Sequence, residues 1–270
     1  MGSSTLTPVL PRYIDQPVQT GFSYDSLVNG TLDQVGGSLT VGPSAFPNNK
    51  IPKQTATLLV GTFPSNNLNA TANGTTNAAR ALWHFSQTFL QEFPDYKPND
   101  NRISIWTESY GGRYGPAFTA FFQEQNQKIA NRTIADPSES FVIHLDTLGI
   151  INGCVDLMIQ EPTYPTFAFN NTYGLQTINQ TAYDQAIDAW TRPDGCKDKI
   201  TKCRQMASQL DLSNQGANSE VNTVCKEAND FCTENLEEPY VASSGKNFYD
   251  IAAPEKGMLL ANLTAPRIEF

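Results

Sequence analysis

The chain has 270 residues, with 18 Lys and Arg against 27 Asp and Glu, a formal net charge of −9 and a pI near 4.7. A balance this acidic excludes nucleic acid and anionic membrane surfaces as electrostatic partners. No apolar run approaches the length of a membrane-crossing helix. The length admits one large domain or two small ones, and the low charged fraction of 17% is made up by Asn, Gln, Thr and Ser, as on secreted surfaces.

In chain order, residues 9–14 read as a strand that stops at Asp15-Gln16-Pro17, because Pro17 cannot donate to a ladder. Thr20-Gly21-Phe22-Ser23-Tyr24 follows as a loop carrying two exposed-type aromatics. Residues 29–76 turn to Gly, Asn, Thr, Ser and Pro and read as a long surface excursion. Asn77 is placed to cap a helix in which Ala78, Leu82, Phe85, Phe89 and Phe93 recur at three- and four-residue steps before Pro94. His84 on that helix and His144 further on read as surface or packing residues, and not as bases.

The stretch from Ile103 to Tyr114 carries the chemistry. A short apolar run (Ile103, Ile105, Trp106) leads to Ser109, then Gly111 and Gly112, then an apolar stripe of Ala117, Phe118, Phe121, Phe122 and Ile129 at helical spacing. Strand, tight turn with serine, helix is the layout of a nucleophile elbow, which lifts a serine hydroxyl clear of a sheet. The usual pattern is G-x-S-x-G, and here Thr107 occupies the first glycine position. A Gly-rich turn between strand and helix is the alternative reading. Residues 141–151 form a further strand-like run that ends at the turn signal Asn152-Gly153.

After Asp156 come three helix-like segments. They are residues 181–190, a second segment with Cys196 and Cys203 on one face, and a third with Cys225 and Cys232 on one face. Cysteines seven apart share a helix face, and the short polar link 213–219 implies an antiparallel hairpin. Antiparallel helices bring far ends together, which predicts the nested bonds Cys196–Cys232 and Cys203–Cys225. Zinc ligand pairs sit closer in sequence, so no metal is expected. Cys154 is left over, as a buried thiol or as half of a bond to a residue outside the chain. Asn-x-Ser/Thr triplets stand at Asn29, Asn69, Asn73, Asn131, Asn170, Asn179 and Asn262. Together with the cysteines they point to the secretory pathway, extracellular or vacuolar. Met1-Gly2-Ser3-Ser4 opens no signal peptide, which implies a start that has been lost or mis-assigned.

Three blocks carry a family resemblance. Ile14-Asp15-Gln16-Pro17 with Gly21-Phe22-Ser23-Tyr24, Glu108-Ser109-Tyr110-Gly111-Gly112 with Tyr114 and Pro116, and Gly149-Ile150-Ile151-Asn152-Gly153 with Asp156 resemble, in order, the signature segments of the serine carboxypeptidases. The likeness is greatest to secreted fungal members and covers about residues 13–251. It implies an α/β-hydrolase fold: a doubly wound mixed sheet with a nucleophile elbow, a disulfide-linked helical insertion, and an incomplete C-terminal part. The expected organisation is residues 1–155 as the N-terminal part of the core, 156–245 as the insertion and 246–270 as a tail.

By the same resemblance Ser109 matches the nucleophile and the backbone N–H of Tyr110 one half of the oxyanion hole. Glu108 matches a carboxyl that holds the substrate's terminal carboxylate, a role that requires its protonated form. Tyr24 matches a loop beside the site. The substrate implied is a peptide or protein C-terminus, with no cofactor, no metal, no nucleic acid and no membrane. The family's glycine-rich oxyanion block upstream, and its catalytic Asp and His downstream of the insertion, have no counterpart here, so the 270-residue chain alone is expected to be inactive. An acyltransferase of the same family and a non-catalytic, truncated peptide-binding homologue are the alternatives.

Overall fold

The computed structural model describes residues 12–72, 74–94, 102–134, 140–213 and 215–254. The chain falls into two units, Met1–Trp106 with Tyr114–Gly149, and Thr107–Arg113 with Ile150–Phe270.

In the first unit, β1 (Leu27–Asp33) pairs antiparallel with both β2 (Leu39–Val41) and β3 (Leu58–Pro64). In register, Gly30 faces Val41 on one side and Gly61 on the other. This sheet lies almost wholly inside the stretch 29–76 that reads as a surface excursion, where the sequence pattern shows no strands, and most of its residues are half-buried or exposed. Its strands are held by backbone ladders more than by side-chain burial. Only Gly30 and Thr31 of β1 are buried, so the apolar alternation that marks a half-buried strand is weak.

The strand expected at residues 9–14 is not formed by Arg12, Tyr13 or Ile14, and residues 9–11 lie outside the described residues. The segment after it is a loop tied by its own polar groups. The Asp15 carboxylate accepts from the Phe22 N–H at 2.8 Å, and the Thr71 hydroxyl donates to the Val18 carbonyl at 2.7 Å. The Asp25 carboxylate accepts from the Ser65 hydroxyl at 2.6 Å and from the Gln19 amide. These donors pull the Asp25 carboxyl down to about 2, the Ser65 hydrogen bond first.

Helix α1 (Thr75–Glu92) starts one turn earlier than expected, with Gly74 and not Asn77 at its N-cap. The face it buries also differs. Ala78, Ala79, Trp83 and Gln87 are buried, while Phe85 and Phe93 are 46% and 45% exposed and stack on Phe89 between them. Small Ala78 and Ala79 admit Phe118 of α2 (Gly111–Ala130), and Trp83 packs with Phe122 and Ile143. The Gln87 amide seals this layer: it accepts from the Phe141 N–H at 2.6 Å and donates to the Phe141 carbonyl at 2.7 Å. Asn126 does the same for Ile143, so the approach to β5 (His144–Ile151) has its backbone groups satisfied by side chains.

β4 (Arg102–Glu108) and β5 are hydrogen-bonded neighbours. They run in the same direction. Arg102, at the start of β4, bridges Asp146 near the start of β5 at 2.9 Å, and just past their far ends the Ser109 N–H donates to the Ile151 carbonyl at 3.1 Å. β4–α2–β5 is thus a βαβ unit, the piece of an α/β core present among the described residues.

The second unit is helical. Short α3 (Leu157–Gln160) and α4 (Thr163–Phe169) precede the three expected helical segments. α5 (Gln180–Thr191) follows the expected 181–190 within a residue, and α6 (Cys196–Leu210) and α7 (Ser219–Cys232) carry the two cysteine pairs as expected. A π-helical turn (Thr233–Glu237) and α8 (Glu238–Ser243) extend α7. Disulfides join Cys196 to Cys232 and Cys203 to Cys225, with Cα separations of 5.1 and 4.8 Å. The outer pair is fully buried in a cluster with Ala189, Ile200 and Leu236. Cys154 is a free, half-buried thiol.

Candidate active site

Ser109 sits between the last residue of β4 and the first turn of α2, with φ of +57°. That is the left-handed region, which a residue with a Cβ occupies at a cost of about 1–2 kcal/mol. Three backbone hydrogen bonds hold it there. Its N–H donates to the Ile151 carbonyl at 3.1 Å, and its carbonyl accepts from the Gly112 N–H at 3.0 Å and the Cys154 N–H at 2.8 Å. With its main chain fixed, the exposed side chain is turned out beside exposed Glu108 and Tyr110.

The turn depends on missing side chains. A Cβ on Gly111 would lie 2.5 Å from the Thr107 Cβ, and one on Gly112 would lie 2.8 Å from the Cys154 backbone nitrogen. The second and third family-like blocks, 108–112 and 149–156, therefore meet backbone to backbone. Tyr24 belongs to the loop of the first unit and is 49% exposed.

Behind Cys154, a residue that sequence reasoning passed over holds the loop. The Gln160 carbonyl oxygen accepts from the Val155 N–H at 2.7 Å and the Asp156 N–H at 3.1 Å, while its amide donates to the Gly153 carbonyl at 2.9 Å. The available signal was an Asp four residues before a Gln at a helix start. Asp156 caps α3 by accepting from the Met158 N–H at 2.9 Å and forms an ion pair with Arg204. The Arg204 hydrogen bond, then that of Met158, lowers its carboxyl below the ordinary value. The Arg113 guanidinium lies over the Tyr110 ring, 6.0 Å from its centroid.

His84 and His144 are both exposed. His84 packs edge-on against Trp83, and His144 lines a shallow hollow of about 460 Å³ at the start of β4 and β5 with Arg102, Gln123 and Asn126. Among the described residues no group of three His, Cys, Asp or Glu side chains could hold a metal ion. Of the sequon asparagines, Asn29, Asn69, Asn131, Asn170 and Asn179 are exposed, and Asn73 and Asn262 lie outside the described residues.

A serine held at positive φ in a strand-to-helix turn and pinned through its backbone has the layout of a nucleophile elbow. The sequence profile of the serine carboxypeptidases matches residues 12–258. The chain belongs to the serine carboxypeptidase family. Among its relatives, carboxypeptidase S1 homolog A of Arthroderma otae is 53% identical over 242 residues, which are 90% of this chain and 37% of that protein. Carboxypeptidase Y homolog of Arthroderma benhamiae is 45% identical over 244 residues, 89% of this chain and 37% of that protein. The chain thus spans little more than a third of the length of these carboxypeptidases. Among solved structures, Kex1(Δ)p, a prohormone-processing carboxypeptidase from Saccharomyces cerevisiae, aligns over 74% of this chain and 39% of its own, with 14% identity and a TM-score of 0.37.

Proposed function

We propose that these residues supply the nucleophile and part of the substrate site of a serine-type carboxypeptidase, which releases the last residue of a peptide through an acyl-enzyme. The observation that carries this reading is the left-handed backbone of Ser109 at the β4–α2 turn. Ser109 Oγ attacks the last peptide carbonyl. The Tyr110 backbone N–H stabilises the oxyanion that forms. Glu108 receives the terminal carboxylate, a contact that requires a hydrogen-bond donor on one of the two carboxyls, and Tyr24 matches a loop that the family places beside its site. The proton acceptor for Ser109 comes, as in the family, from the segments that follow the helical insertion, so the activity is that of the whole protein.

The compartment is the secretory pathway. Two disulfides and five exposed sequon asparagines support it. Asn179 serves the fold through its carbonyl oxygen, which caps α5 at the Ala182 N–H, 2.8 Å away. A glycan on the amide nitrogen would leave that bond in place. Among the described residues no helix is long and apolar enough to cross a membrane.

The test is fluorophosphonate labelling of the full-length protein, read by intact mass, together with release of the C-terminal residue from an N-blocked dipeptide. Both should be lost in Ser109→Ala with the melting temperature retained. Labelling that persists in Ser109→Ala would place the nucleophile elsewhere.

A further inference from the structure

Glu161 is the most deeply buried acidic side chain among the described residues, at 1% exposure, and it has no ion pair. It lies between α3 and α4, directly after Gln160. Its Oε2 finds no hydrogen-bond donor. Leu236 of the π-helical turn lies in the buried cluster against which Leu157 and Met158 of α3 pack, which brings the end of that turn, half-buried Glu237, to the Glu161 side of α3. The Glu237 Oε1 accepts only a long bond of 3.4 Å from the Thr233 hydroxyl. Two neighbouring carboxylates, one of them shut off from water, stay ionised together only at a cost. One proton between them turns repulsion into an O–H···O⁻ hydrogen bond, among the stronger kinds.

Among the described residues, the basic groups on the packed elements are exposed or engaged elsewhere, Lys226 of α7 by Asp230. α3 carries no titratable side chain, and α4 carries only Tyr164, whose hydroxyl is pushed up by burial and then by the charges of Glu237 and Glu161. The π-helical turn adds exposed Glu234. α8 adds exposed Glu238, and Tyr240, whose hydroxyl donates to the Asn247 carbonyl at 2.7 Å. On α5, Asp188 and Arg192 are paired with each other and Asp184 accepts from Gln180. On α6, Arg204 is engaged by Asp156, and Lys199 lies by Asp194.

We propose that Glu161 and Glu237 share one proton, and that this proton clamps residues 153–164, and through them the Ser109 turn, to the π-helical turn. The chain of contacts is short. Gln160, the neighbour of Glu161, holds Gly153, Val155 and Asp156 by three hydrogen bonds, and the Cys154 N–H between them holds the Ser109 carbonyl. Glu161 is a positioning residue, and the second half of the inference rests on Ser109 being the nucleophile.

The sign follows from linkage. Burial first, then the charge and hydrogen bond of Glu237, push the Glu161 carboxyl up from 4.5 to about 8. The folded state keeps a proton that the unfolded chain gives up at about 4.5. The stabilisation is fully present below about pH 4.5, declines as pH rises, and is gone once pH has passed about 8. A clamp of this kind favours an acidic compartment.

The experiment compares the full-length protein with Glu161→Gln and Glu237→Gln, each of which keeps the shape and replaces the shared proton by a fixed N–H donor. Melting temperature is followed from pH 5 to pH 9. The expected result is a variant-minus-parent difference that is small or negative at pH 5, climbs by several degrees to about pH 8, and is flat above. A difference constant over the whole range, in both variants, overturns the shared proton. Having two variants guards against one that fails to fold. The rate of fluorophosphonate labelling, variant over parent, should climb in the same window. A flat ratio beside a climbing melting difference would overturn the link to Ser109 and leave a clamp of stability alone. Failure of any form to label would count against the nucleophile reading, while the melting curves would still report on the pair.

Discussion

The Cβ of Thr107 occupies the place a Cβ on Gly111 would need, 2.5 Å away. The first and last small positions of the G-x-S-x-G pattern thus face each other across Ser109, and only one of them can carry a side chain. This explains how the turn tolerates Thr107. Gly111→Ala is expected to force the β4 end and the α2 start apart, costing about 1–3 kcal/mol as overpacking does. Thermal melting of the full-length protein and fluorophosphonate labelling of Ser109 should both fall. Adding Thr107→Gly should restore both. A single Gly111→Ala variant as stable and as reactive as its parent would show that the contact is not rigid.

Ser109 itself separates stability from function. Glycine adopts a φ of +57° without the side-chain penalty of about 1–2 kcal/mol, though it has about 0.5–1 kcal/mol more chain entropy to lose on folding. Ser109→Gly should therefore be more stable than Ser109→Ala by on the order of 0.5–1 kcal/mol in denaturant titrations. Neither should label. Equal stability of the two would mean that the backbone relaxes once the hydroxyl is gone.

How much of this was legible in the sequence varies with what holds each element. The elbow was legible because strand, serine, glycines and apolar stripe are local signals in one stretch, and α6 and α7 because cysteines seven apart mark a helix face. β1–β3 were not, since β2 is only three residues long and the longer ladder of Leu27–Asp33 is to Leu58–Pro64, far along the chain. In α1 the aromatic residues suggested the wrong buried face. Ala78 and Ala79 give the close approach that Phe118 needs, and the three phenylalanines instead stack on one another. Gln160 and Glu161 carry no sequence mark of their roles, which exist only where loop, α3 and the π-helical turn come together.

Gln160 invites a direct test by amide exchange. Gln160→Ala leaves the Val155 and Asp156 N–H groups and the Gly153 carbonyl without their partner, and half-burial lets water replace it only in part. A loss of about 1–3 kcal/mol is expected. Exchange should quicken at Val155, Asp156 and Cys154, and Ser109 should label more slowly. Unchanged protection at Cys154 would detach the loop from the elbow.

Asp156 gives a pH dependence opposite to that of Glu161. Its carboxyl is lowered from 3.8 by Arg204, then by the Met158 N–H, so its contribution is present above about pH 4 and is lost as pH falls below that value. Both partners of the ion pair are about half exposed, at 51% and 42%, which limits the effect to about 0–1 kcal/mol. Asp156→Asn and Arg204→Ala should each flatten the stability curve below pH 4 and leave its slope between pH 5 and 8 unchanged. A change confined to the higher window would mean that Arg204 acts on Glu161 instead.

The two disulfides should differ in how they open. They link residues 36 and 22 apart, and closing loops of that size in the unfolded chain is worth about 3–4 kcal/mol each on the chain-entropy estimate. The similar loop terms leave burial to decide the order. Cys196 and Cys232 are fully buried among Ala189, Ile200 and Leu236, while Cys203 and Cys225 are half-buried toward the middle of the hairpin. Mild reductant followed by alkylation and peptide mass analysis should mark Cys203 and Cys225 first. The paired replacement Cys203→Ala with Cys225→Ala should leave a folded hairpin. Cys196→Ala with Cys232→Ala should cost more, because it also empties space in the core that holds the π-helical turn and, with it, Glu237. Alkylation of Cys196 and Cys232 ahead of the other pair would show that the helix ends open first, against the burial seen here.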